Sequence, residues 1–145
     1  MKKLIIFGTS TVAEVAYYYF STDTDLKIAA FTVDADFLDQ KTFLDKPVVP
    51  FETLSREYPP TDYLLFIAVG YQKLNRFRQD RFETAKNLNY EMPSYISSRS
   101  VIAENVSIGQ NCFILENQTI QPFCRIGPAL LGSGPRHLRN TSGAF

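Results

Sequence analysis

A six-residue period of apolar positions dominates the C-terminal part of the chain. Between Val101 and Gly127 an isoleucine returns at every sixth position: Ile102, Ile108, Ile114, Ile120 and Ile126. A strand alternates every two residues and a helix repeats about every 3.6, so neither predicts this spacing. The period is typical of the hexapeptide repeat of a left-handed parallel β-helix, of which this run would supply about one and a half coils. An ordinary antiparallel strand pair remains the alternative.

The N-terminal part alternates apolar runs with amphipathic segments. The apolar runs predict buried strands at Lys3–Gly8, Lys27–Val33 and Tyr63–Val69, and the last, apolar throughout, is expected near the centre of a sheet. Helical periodicity predicts long helices from Thr11 to the turn at Asp23, and from about Leu74 to Leu88. This order of elements predicts βαβ units in a parallel sheet.

Several local features refine these predictions. Thr11 and Glu14 have the spacing of a capping box at the start of the first helix. We expect that helix to face the sheet with Val12, Val15, Ala16, Tyr19 and Phe20, and the second with Leu74, Phe77, Phe82, Ala85 and Leu88. The weaker pattern from Phe37 to Pro60 predicts an extended piece at Pro47–Pro50 and a short helix within Thr53–Tyr58.

The predicted fold class is therefore α/β. A small parallel Rossmann-like βαβ sheet occupies residues 1–97, the start of a left-handed parallel β-helix occupies residues 98–127, and residues 128–145 form an irregular tail. The tail is rich in Gly, Pro, Ser and Arg and has Gly132 where the period asks for an aliphatic residue.

Composition narrows the class of partner and the compartment. The 145 residues are 45% hydrophobic, enough for a core, and 15 basic residues balance 15 acidic ones. No overall field favours nucleic acid or an anionic membrane. Cys112 and Cys124 fall on the small position of the repeat, which predicts buried thiols rather than a disulfide framework or a metal site. The apolar run after Lys2 and Lys3 is too short for a signal peptide, so we expect a cytoplasmic protein without membrane insertion.

Three loops follow the predicted parallel strands, where an open sheet binds ligands. Gly8–Thr11 offers amides and hydroxyls for phosphate, although its single glycine is not a dinucleotide fingerprint and a structural turn would look the same. Asp34 and Asp36 suit ribose or base, or are solvated turn formers. The loop Gly70–Arg78 combines a ring with three cations at a helix start, or is a solvated basic face.

At these loops and at the repeat the chain resembles a known family. It contains V-G-Y-x-K-L-N-x-x-R at Val69–Arg78, Y-I-S-S-R-S-x-I at Tyr95–Ile102, I-G-x-N-C-F-I at Ile108–Ile114 and N-x-x-I-Q-P-F at Asn117–Phe123. Over about residues 1–127 these motifs are similar to bacterial sugar acyltransferases of the sialic acid O-acetyltransferase type.

The resemblance implies binding of a nucleotide-linked sugar by the N-terminal domain, a homotrimer, and acetyl-CoA as co-substrate between neighbouring β-helices. It implies a histidine as general base toward the sugar amine or hydroxyl. The implied substrate contacts are Gly8, Thr9, Ser10, Asp34, Gly70, Tyr71, Lys73, Asn75 and Arg78. Lys73 and Arg78 are expected on the solvent side of a helix start. Thr11 and Val12 replace the glycine and histidine that follow the first turn in family members, so the sugar pocket is expected to differ.

The tail departs further from the family. His137, the only histidine, lies outside the family's histidine-bearing repeat, so no catalytic residue is assigned. We interpret His137 as a solvated residue of the tail rather than as the catalytic base. We expect that the tail reflects a truncated or frame-shifted reading of a longer protein. This 145-residue chain would then lack acetyltransferase activity and the stable trimer, and would be mobile or prone to aggregate beyond Gly127.

The leading functional hypothesis is an acetyl-CoA-dependent acetyltransferase of a nucleotide-linked or surface-polysaccharide sugar, incomplete in this chain. The alternative is a non-catalytic module that binds a nucleotide or nucleotide-sugar. A nicotinamide-dependent oxidoreductase is disfavoured by the missing glycines and the lack of a second substrate domain.

Overall fold

The computed structural model describes residues 1–69, 75–102, 107–115, 118–120, 125–126, 131–132 and 136–138. Of these, residue 75, residues 101–102 and 107, and the segments after 115 are described by their backbone alone. The chain divides into two compact units, Met1–Met92 and Pro93–Phe145.

The first unit is built on a five-stranded sheet. Its strands are β1 (Lys3–Phe7), β2 (Ile28–Val33), β3 (Thr42–Phe43), β4 (Lys46–Pro50) and β5 (Tyr63–Ile67). They lie in the order β3, β4, β2, β1, β5, and all neighbours are parallel except the antiparallel β3 and β4. The predicted parallel α/β sheet is confirmed.

Two described helices lie between strands of this sheet and a third follows β5. They are α1 (Thr11–Asp23), the short α2 (Leu54–Glu57) and α3 (Asn75–Asn87), with 3₁₀ turns at Ala35–Phe37 and Phe51–Thr53. The short helix predicted before Pro59 is confirmed. Among the helices of the described segments, none is long and apolar enough to cross a bilayer.

Strand β5 does not occupy the predicted central position. It is the last strand in the order, beside β1 only, and its outer edge makes a single bridge between Leu64 and Glu91. Its residues Leu65 and Phe66 are nevertheless 0% and 1% exposed. An all-apolar run predicts that both faces of a strand are covered, and it says nothing about which strands lie beside it.

The hairpin of β3 and β4 was not predicted. Leu44 and Asp45 connect the two strands, and both have positive φ angles, 50° and 64°. Two central residues with positive φ are characteristic of a type I′ hairpin turn, and the usual residues at those two positions are Asn-Gly or Asp-Gly. Leu-Asp gives no such signal.

Helix α1 begins as predicted but without the capping box. Its N-cap is Ser10, whose side chain makes no capping hydrogen bond within the described residues, and Glu14 contributes its backbone amide to the Ser10 carbonyl oxygen at 3.0 Å. The residues buried on its inner face are Ala13, Ala16 and Phe20. Ala13 was not predicted to face the sheet, but it precedes Ala16 by three residues and Phe20 by seven, which places all three on one face of the helix.

Helix α3 ends at Asn87 and is closed by Asn89, a left-handed residue two positions beyond it. Asn89 has a φ of 70°, and the amides of Asn89 and Tyr90 donate to the carbonyl oxygens of Lys86 and Ala85 at 3.0 and 3.1 Å. These two bonds around a left-handed residue form a Schellman motif, which satisfies carbonyl groups that the helix end leaves open.

The inner face of α3 differs from prediction at one residue. Phe82 and Ala85 are buried as expected, but Arg78 is also buried, with only 6% of its surface exposed. Arg78 precedes Phe82 by four residues and Ala85 by seven, so helical geometry places all three on one face. The prediction that Arg78 lies on the solvent side is wrong.

The second unit consists of short parallel strands stacked at a constant spacing. The strands are β6 (Tyr95–Ile96), β7 (Val101–Ile102), β8 (Ser107–Ile108), β9 (Phe113–Ile114), β10 (Gln118–Ile120), β11 (Arg125–Ile126), β12 (Leu131–Gly132) and β13 (Arg136–Leu138). They form three separate parallel sheets: β6, β9, β12; β7, β10, β13; and β8, β11. The antiparallel alternative is wrong for these strands.

All five strand pairings in the described part of the second unit join residues eighteen positions apart. Tyr95 pairs with Phe113, Ser107 with Arg125, and Thr119 with His137. Eighteen residues are three of the predicted six-residue walls. The last pairing lies in the segment predicted to be an irregular tail, so that prediction fails at Leu131–Gly132 and Arg136–Leu138.

The repeat also begins earlier than predicted. Ile96 precedes Ile102 by six residues, and Ser100 follows Ile96 by four, which places Ser100 on the small position of the repeat. Ser94 and Ser100, six residues apart, each donate a side-chain hydrogen bond to a carbonyl fifteen residues further on, at Gly109 (2.6 Å) and Leu115 (2.7 Å). The serines therefore repeat in structure as they do in sequence.

The side chains of the β9 segment confirm the predicted interior positions. Cys112 is fully buried and Ile114 is 1% exposed, as the repeat predicts. Phe113, which was not predicted to lie inside, is also 1% exposed, and its ring lies 5.5 Å from that of Tyr95. The buried thiol predicted at Cys112 is confirmed. Cys124 lies outside the described residues.

The burial of Arg78 gives a stability prediction. We expect Arg78→Ala to lower the free energy of unfolding by about 1–3 kcal/mol, because the buried stem loses its packing. Arg76→Ala, on the exposed face of the same helix, is the matched control and should change stability by about 0.5 kcal/mol or less. Urea unfolding followed by circular dichroism measures both, and equal effects would contradict the placement of Arg78.

Tyr90 gives a prediction at alkaline pH. Its hydroxyl donates to the Tyr58 carbonyl oxygen at 2.5 Å, and burial raises the pKa of Tyr90 to about 12. The unfolded chain loses this proton near the ordinary pKa of about 10, so the stabilising effect is complete below pH 10 and is lost as the pH rises toward 12.

Tyr90→Phe should therefore flatten the fall of unfolding free energy between about pH 10 and 12. The measurement is urea unfolding of both proteins across that range. Parallel pH profiles for the two proteins would count against a raised pKa at Tyr90.

Candidate functional site

The carboxyl ends of β2, β1 and β5 come together at one edge of the sheet. Along this edge lie the loop Gly8–Ser10 after β1, the turn Asp34–Phe37 after β2, and Ala68 after β5. Helix α1 follows β1 and leads to β2, which is the neighbour of β1 on one side. Helix α3 follows β5, the neighbour of β1 on the opposite side, so the connections diverge between β1 and β5. Open α/β sheets bind ligands at such a switch point.

Gly8 is fixed between the two neighbouring strands. Its amide donates to the Thr32 carbonyl oxygen at 2.8 Å, and the amide of Ala68 donates to the Phe7 carbonyl oxygen at 2.9 Å. Its φ is 124°, and a Cβ atom built on Gly8 would lie 2.7 Å from the Ala68 carbonyl oxygen. The φ angle and the close carbonyl oxygen together require glycine at position 8. This requirement supports the interpretation of Gly8–Thr11 as a structural turn.

The residues after Gly8 lead into the N-terminus of α1. Thr9 is half-buried, and Ser10 and Thr11 are exposed. The first amides of a helix lack intrahelical partners and carry a partial positive charge, so this turn presents donors to an anion at the sheet edge. The structure therefore keeps the phosphate interpretation open beside the structural one.

Asp34 is held by an arginine that the sequence did not single out. Arg81, on α3, donates from Nε to Asp34 Oδ1 at 3.0 Å and from Nη2 to Asp34 Oδ2 at 2.8 Å. The pair is partly buried, with side-chain exposures of 11% for Asp34 and 23% for Arg81. The hydrogen bond with Asp34 raises the pKa of the Arg81 guanidinium above its ordinary value, so this side chain stays charged.

Aromatic rings pack against the arginine of this ion pair. The Arg81 guanidinium lies 4.7 Å from the centre of the Phe77 ring, a cation–π contact. Phe77 lies 6.1 Å from Phe7, the last residue of β1, and Phe7 makes an edge-to-face contact with Phe51 at 5.0 Å. A continuous aromatic layer thus extends from α3 across the end of β1.

The turn after β2 is held by a second carboxylate. Glu52 accepts a hydrogen bond from the Ala35 amide at 2.9 Å, and the Phe37 amide donates to the Asp34 carbonyl oxygen at 2.9 Å. Asp36 is exposed, and Phe37 keeps 68% of its surface exposed. The two predicted aspartates therefore differ, because Asp34 is ion-paired and Asp36 faces solvent.

The predicted site residues divide into three groups. Gly8, Thr9, Ser10 and Asp34 lie on one sheet edge, as expected. Gly70, Tyr71 and Lys73 lie outside the described residues, and Asn75 is described only as the first residue of α3. Arg78 is on the buried face of that helix.

The sequence analysis missed Arg81, Phe77 as its support, and Glu52. Helical spacing carried a weak signal for Arg81, since it follows Phe77 by four residues. Nothing in the sequence pairs Arg81 with Asp34, which lies 47 positions earlier.

The chain was compared with known proteins. No protein-family model matches it, and no protein of curated function matches it. Solved structures do match. A variant of perosamine N-acetyltransferase from Caulobacter crescentus, in complex with CoA and GDP-perosamine, shares 23% identity with a TM-score of 0.75, covering 90% of this chain and 60% of that one.

Two further solved structures agree with this likeness. PerB from Caulobacter crescentus, in complex with CoA and GDP-perosamine, has 23% identity and a TM-score of 0.74 over 95% of this chain and 64% of that one. The acetyltransferase domain of PglB from Neisseria gonorrhoeae has 20% identity and a TM-score of 0.74 over 90% of this chain and 62% of that one. The chain shares their fold and spans about three fifths of their length.

The geometry at Gly8 gives a testable prediction. Gly8→Ala should lower the free energy of unfolding by about 2 kcal/mol or more, because the added methyl group meets a carbonyl oxygen and the φ angle is unfavourable. Ser10→Ala is the control and should cost about 0.5 kcal/mol or less, since its side chain makes no capping bond. Urea unfolding measures both, and a Gly8→Ala protein as stable as the control would disprove the close approach.

Proposed function

We propose that this chain acts in the acetyl-CoA-dependent acetylation of a nucleotide-linked sugar. The observation that carries the proposal is the likeness to solved sugar N-acetyltransferases over 90% of the chain, which includes both units. The position of the candidate site, at the switch point of a parallel sheet, agrees with the binding of a nucleotide there.

The second unit fits the same proposal as the start of a left-handed parallel β-helix. Parallel pairing at a constant eighteen residues is what three six-residue walls per coil would produce. The serine hydrogen bonds at Ser94 and Ser100 follow the same period. We propose residues 1–92 as the nucleotide-sugar domain and the remainder as the β-helical part.

The nucleotide-sugar would lie along the edge formed by the loops after β1, β2 and β5. The amides of Gly8–Ser10 and the N-terminus of α1 would bind the diphosphate. Asp34 would accept hydrogen bonds from the ribose. Gly70, Tyr71, Lys73 and Asn75 remain proposed contacts from the resemblance, whereas the burial of Arg78 removes the argument for a solvent-facing contact from that residue.

The proposed reaction is acyl transfer to a sugar amine or hydroxyl. Acetyl-CoA, when bound, supplies the acetyl group as a thioester. The acceptor atom forms a bond to the acetyl carbon, the carbon–sulfur bond breaks, and the acceptor proton passes to a general base. We assign neither that base nor an acetyl-CoA contact, since the described side chains of the second unit end at Leu115. Assembly as a trimer and a place in cytoplasmic polysaccharide synthesis belong to the same proposal.

A nucleotide-sugar-binding module without catalysis is the second candidate. The observation in its favour is that the described site lies wholly within Met1–Met92 and offers binding groups, namely backbone amides and a fixed carboxylate. Acetyl transfer from acetyl-CoA by the chain would distinguish the first candidate from the second.

Ligand-induced stabilisation tests the shared premise. We expect UDP- or GDP-sugars to raise the melting temperature, since a ligand at about a hundred times its Kd adds roughly 2.7 kcal/mol of stability. The measurement is thermal unfolding with UDP-sugars, GDP-sugars, acetyl-CoA and NAD(P) in parallel. Stabilisation by NAD(P) alone would instead indicate an oxidoreductase.

A further inference from the structure

The Asp34–Arg81 pair lies at the edge of the sheet where the proposed function puts the nucleotide, and the inference below rests on that proposed function. We propose that Arg81 is a positioning residue: it fixes the Asp34 carboxylate so that it accepts hydrogen bonds from the two hydroxyl groups of a ribose. The site would thereby select ribonucleotides over 2′-deoxyribonucleotides.

The geometry of the pair restricts the carboxylate in two ways. Two parallel hydrogen bonds, from Nε and Nη2 to the two Asp34 oxygens, set the plane of the carboxylate as well as its position. A lysine ammonium has no planar fork and would hold the position without the plane. The arginine therefore supplies orientation in addition to charge.

Arg81 is itself held by an aromatic ring. Its guanidinium lies over the Phe77 ring at 4.7 Å, whereas its contact from Nη1 to Asp80 Oδ2 is exposed and screened by solvent. Phe77 in turn lies 6.1 Å from Phe7, at the end of β1. The side chain that orients the Asp34 carboxylate is therefore anchored in two ways. It contacts an aromatic ring that packs near the end of β1, and its backbone is part of α3.

The carboxylate keeps acceptor capacity for a ligand. An ionised carboxylate has about four lone-pair sites, and the fork of Arg81 engages both oxygens from one side. Within the described part of the chain, the hydrogen bonds that reach the Asp34 side chain come from Arg81. Each oxygen can still accept from a hydroxyl, and a vicinal diol supplies two such donors at matching separation.

The place in the fold favours ribose over other diols. Asp34 directly follows β2, beside the loop Gly8–Ser10 that would hold the diphosphate, and an acidic side chain at this point of a nucleotide-binding sheet is suited to the ribose hydroxyls. The same charge would repel a phosphate on the ribose 2′ oxygen. The chemical class of ligand is therefore a nucleoside diphosphate with free ribose hydroxyls.

The test compares nucleotides that differ in one hydroxyl. UDP and GDP, and their 2′-deoxy counterparts, are titrated calorimetrically into the full chain. For the nucleotide that binds, we expect the ribo form to bind about tenfold more tightly, since a hydrogen bond to a charged group contributes about that much. In Arg81→Lys the ratio should fall to about threefold or less, with the net charge unchanged.

Two controls make the ratio specific. Asp80→Asn removes the negative charge on the exposed side of Arg81 and leaves the fork intact, so the ribo-to-deoxy ratio should match the unmodified protein. Asp34→Asn should lower the ratio, and the double variant with Arg81→Lys should lower it no further, because the two residues act as one unit. Each ratio is measured on a single protein sample, so a reduced folded fraction cancels.

The outcomes separate this inference from the proposed function. If neither UDP nor GDP binds, the proposed function fails and this inference with it. If a nucleotide binds and Arg81→Lys weakens the ribo and deoxy forms equally, Arg81 contacts phosphate or only stabilises the fold, and the positioning role is overturned. A ratio that falls in Arg81→Lys and stays unchanged in Asp80→Asn confirms it.

Discussion

The close approach of Gly8 to the end of β5 is the constraint on which the first unit depends. The Gly8 amide donates a hydrogen bond to the Thr32 carbonyl oxygen, and the Ala68 carbonyl oxygen is so close that a Cβ atom on Gly8 would not fit. These two contacts fix the chain between β2 and β5 where β1 ends. The backbone turns at Gly8 with a positive φ, and α1 starts three residues later at Thr11. The sheet edge and the helix N-terminus are consequently brought to one place, and any ligand that needs both finds them together.

The two contacts of Arg81 with carboxylates show that solvent exposure determines how strongly an ion pair constrains the fold. The contact with Asp80 is between neighbours in sequence, and the Asp80 side chain is 64% exposed, so water and salt screen it. The contact with Asp34 is bidentate and partly buried, and it joins α3 to the end of β2. Only the second constrains tertiary structure. The cation–π contact with Phe77 adds to it because the ring is itself anchored near β1.

The second unit follows a different physical logic. Its strands are only two or three residues long, too short to be stable alone, and the described pairings join strands eighteen residues apart rather than neighbours in sequence. Ser94 and Ser100 bind carbonyl oxygens fifteen residues on, which satisfies backbone groups at the bends between strands. Cys112 is fully buried, and the tilted rings of Tyr95 and Phe113 are in contact between two paired strands. The described strands of this unit are therefore stabilised by contacts between segments eighteen residues apart.

The sequence by itself determined the features that depend on local periodicity. The parallel strands, the helices of the first unit and the six-residue spacing were all readable, because burial of one face imposes a period on the residues that form it. Lateral position was not readable, since covered faces leave the edge position of β5 undetermined. The two arginines of α3 differ in this respect. Helical spacing was sufficient to place Arg78 on the inner face, although the prediction put it in solvent, whereas the partner of Arg81 depends on where β2 ends. The pairing of Asp34 with Arg81 exists only after the sheet has formed, because parallel connections bring together residues that are distant in sequence.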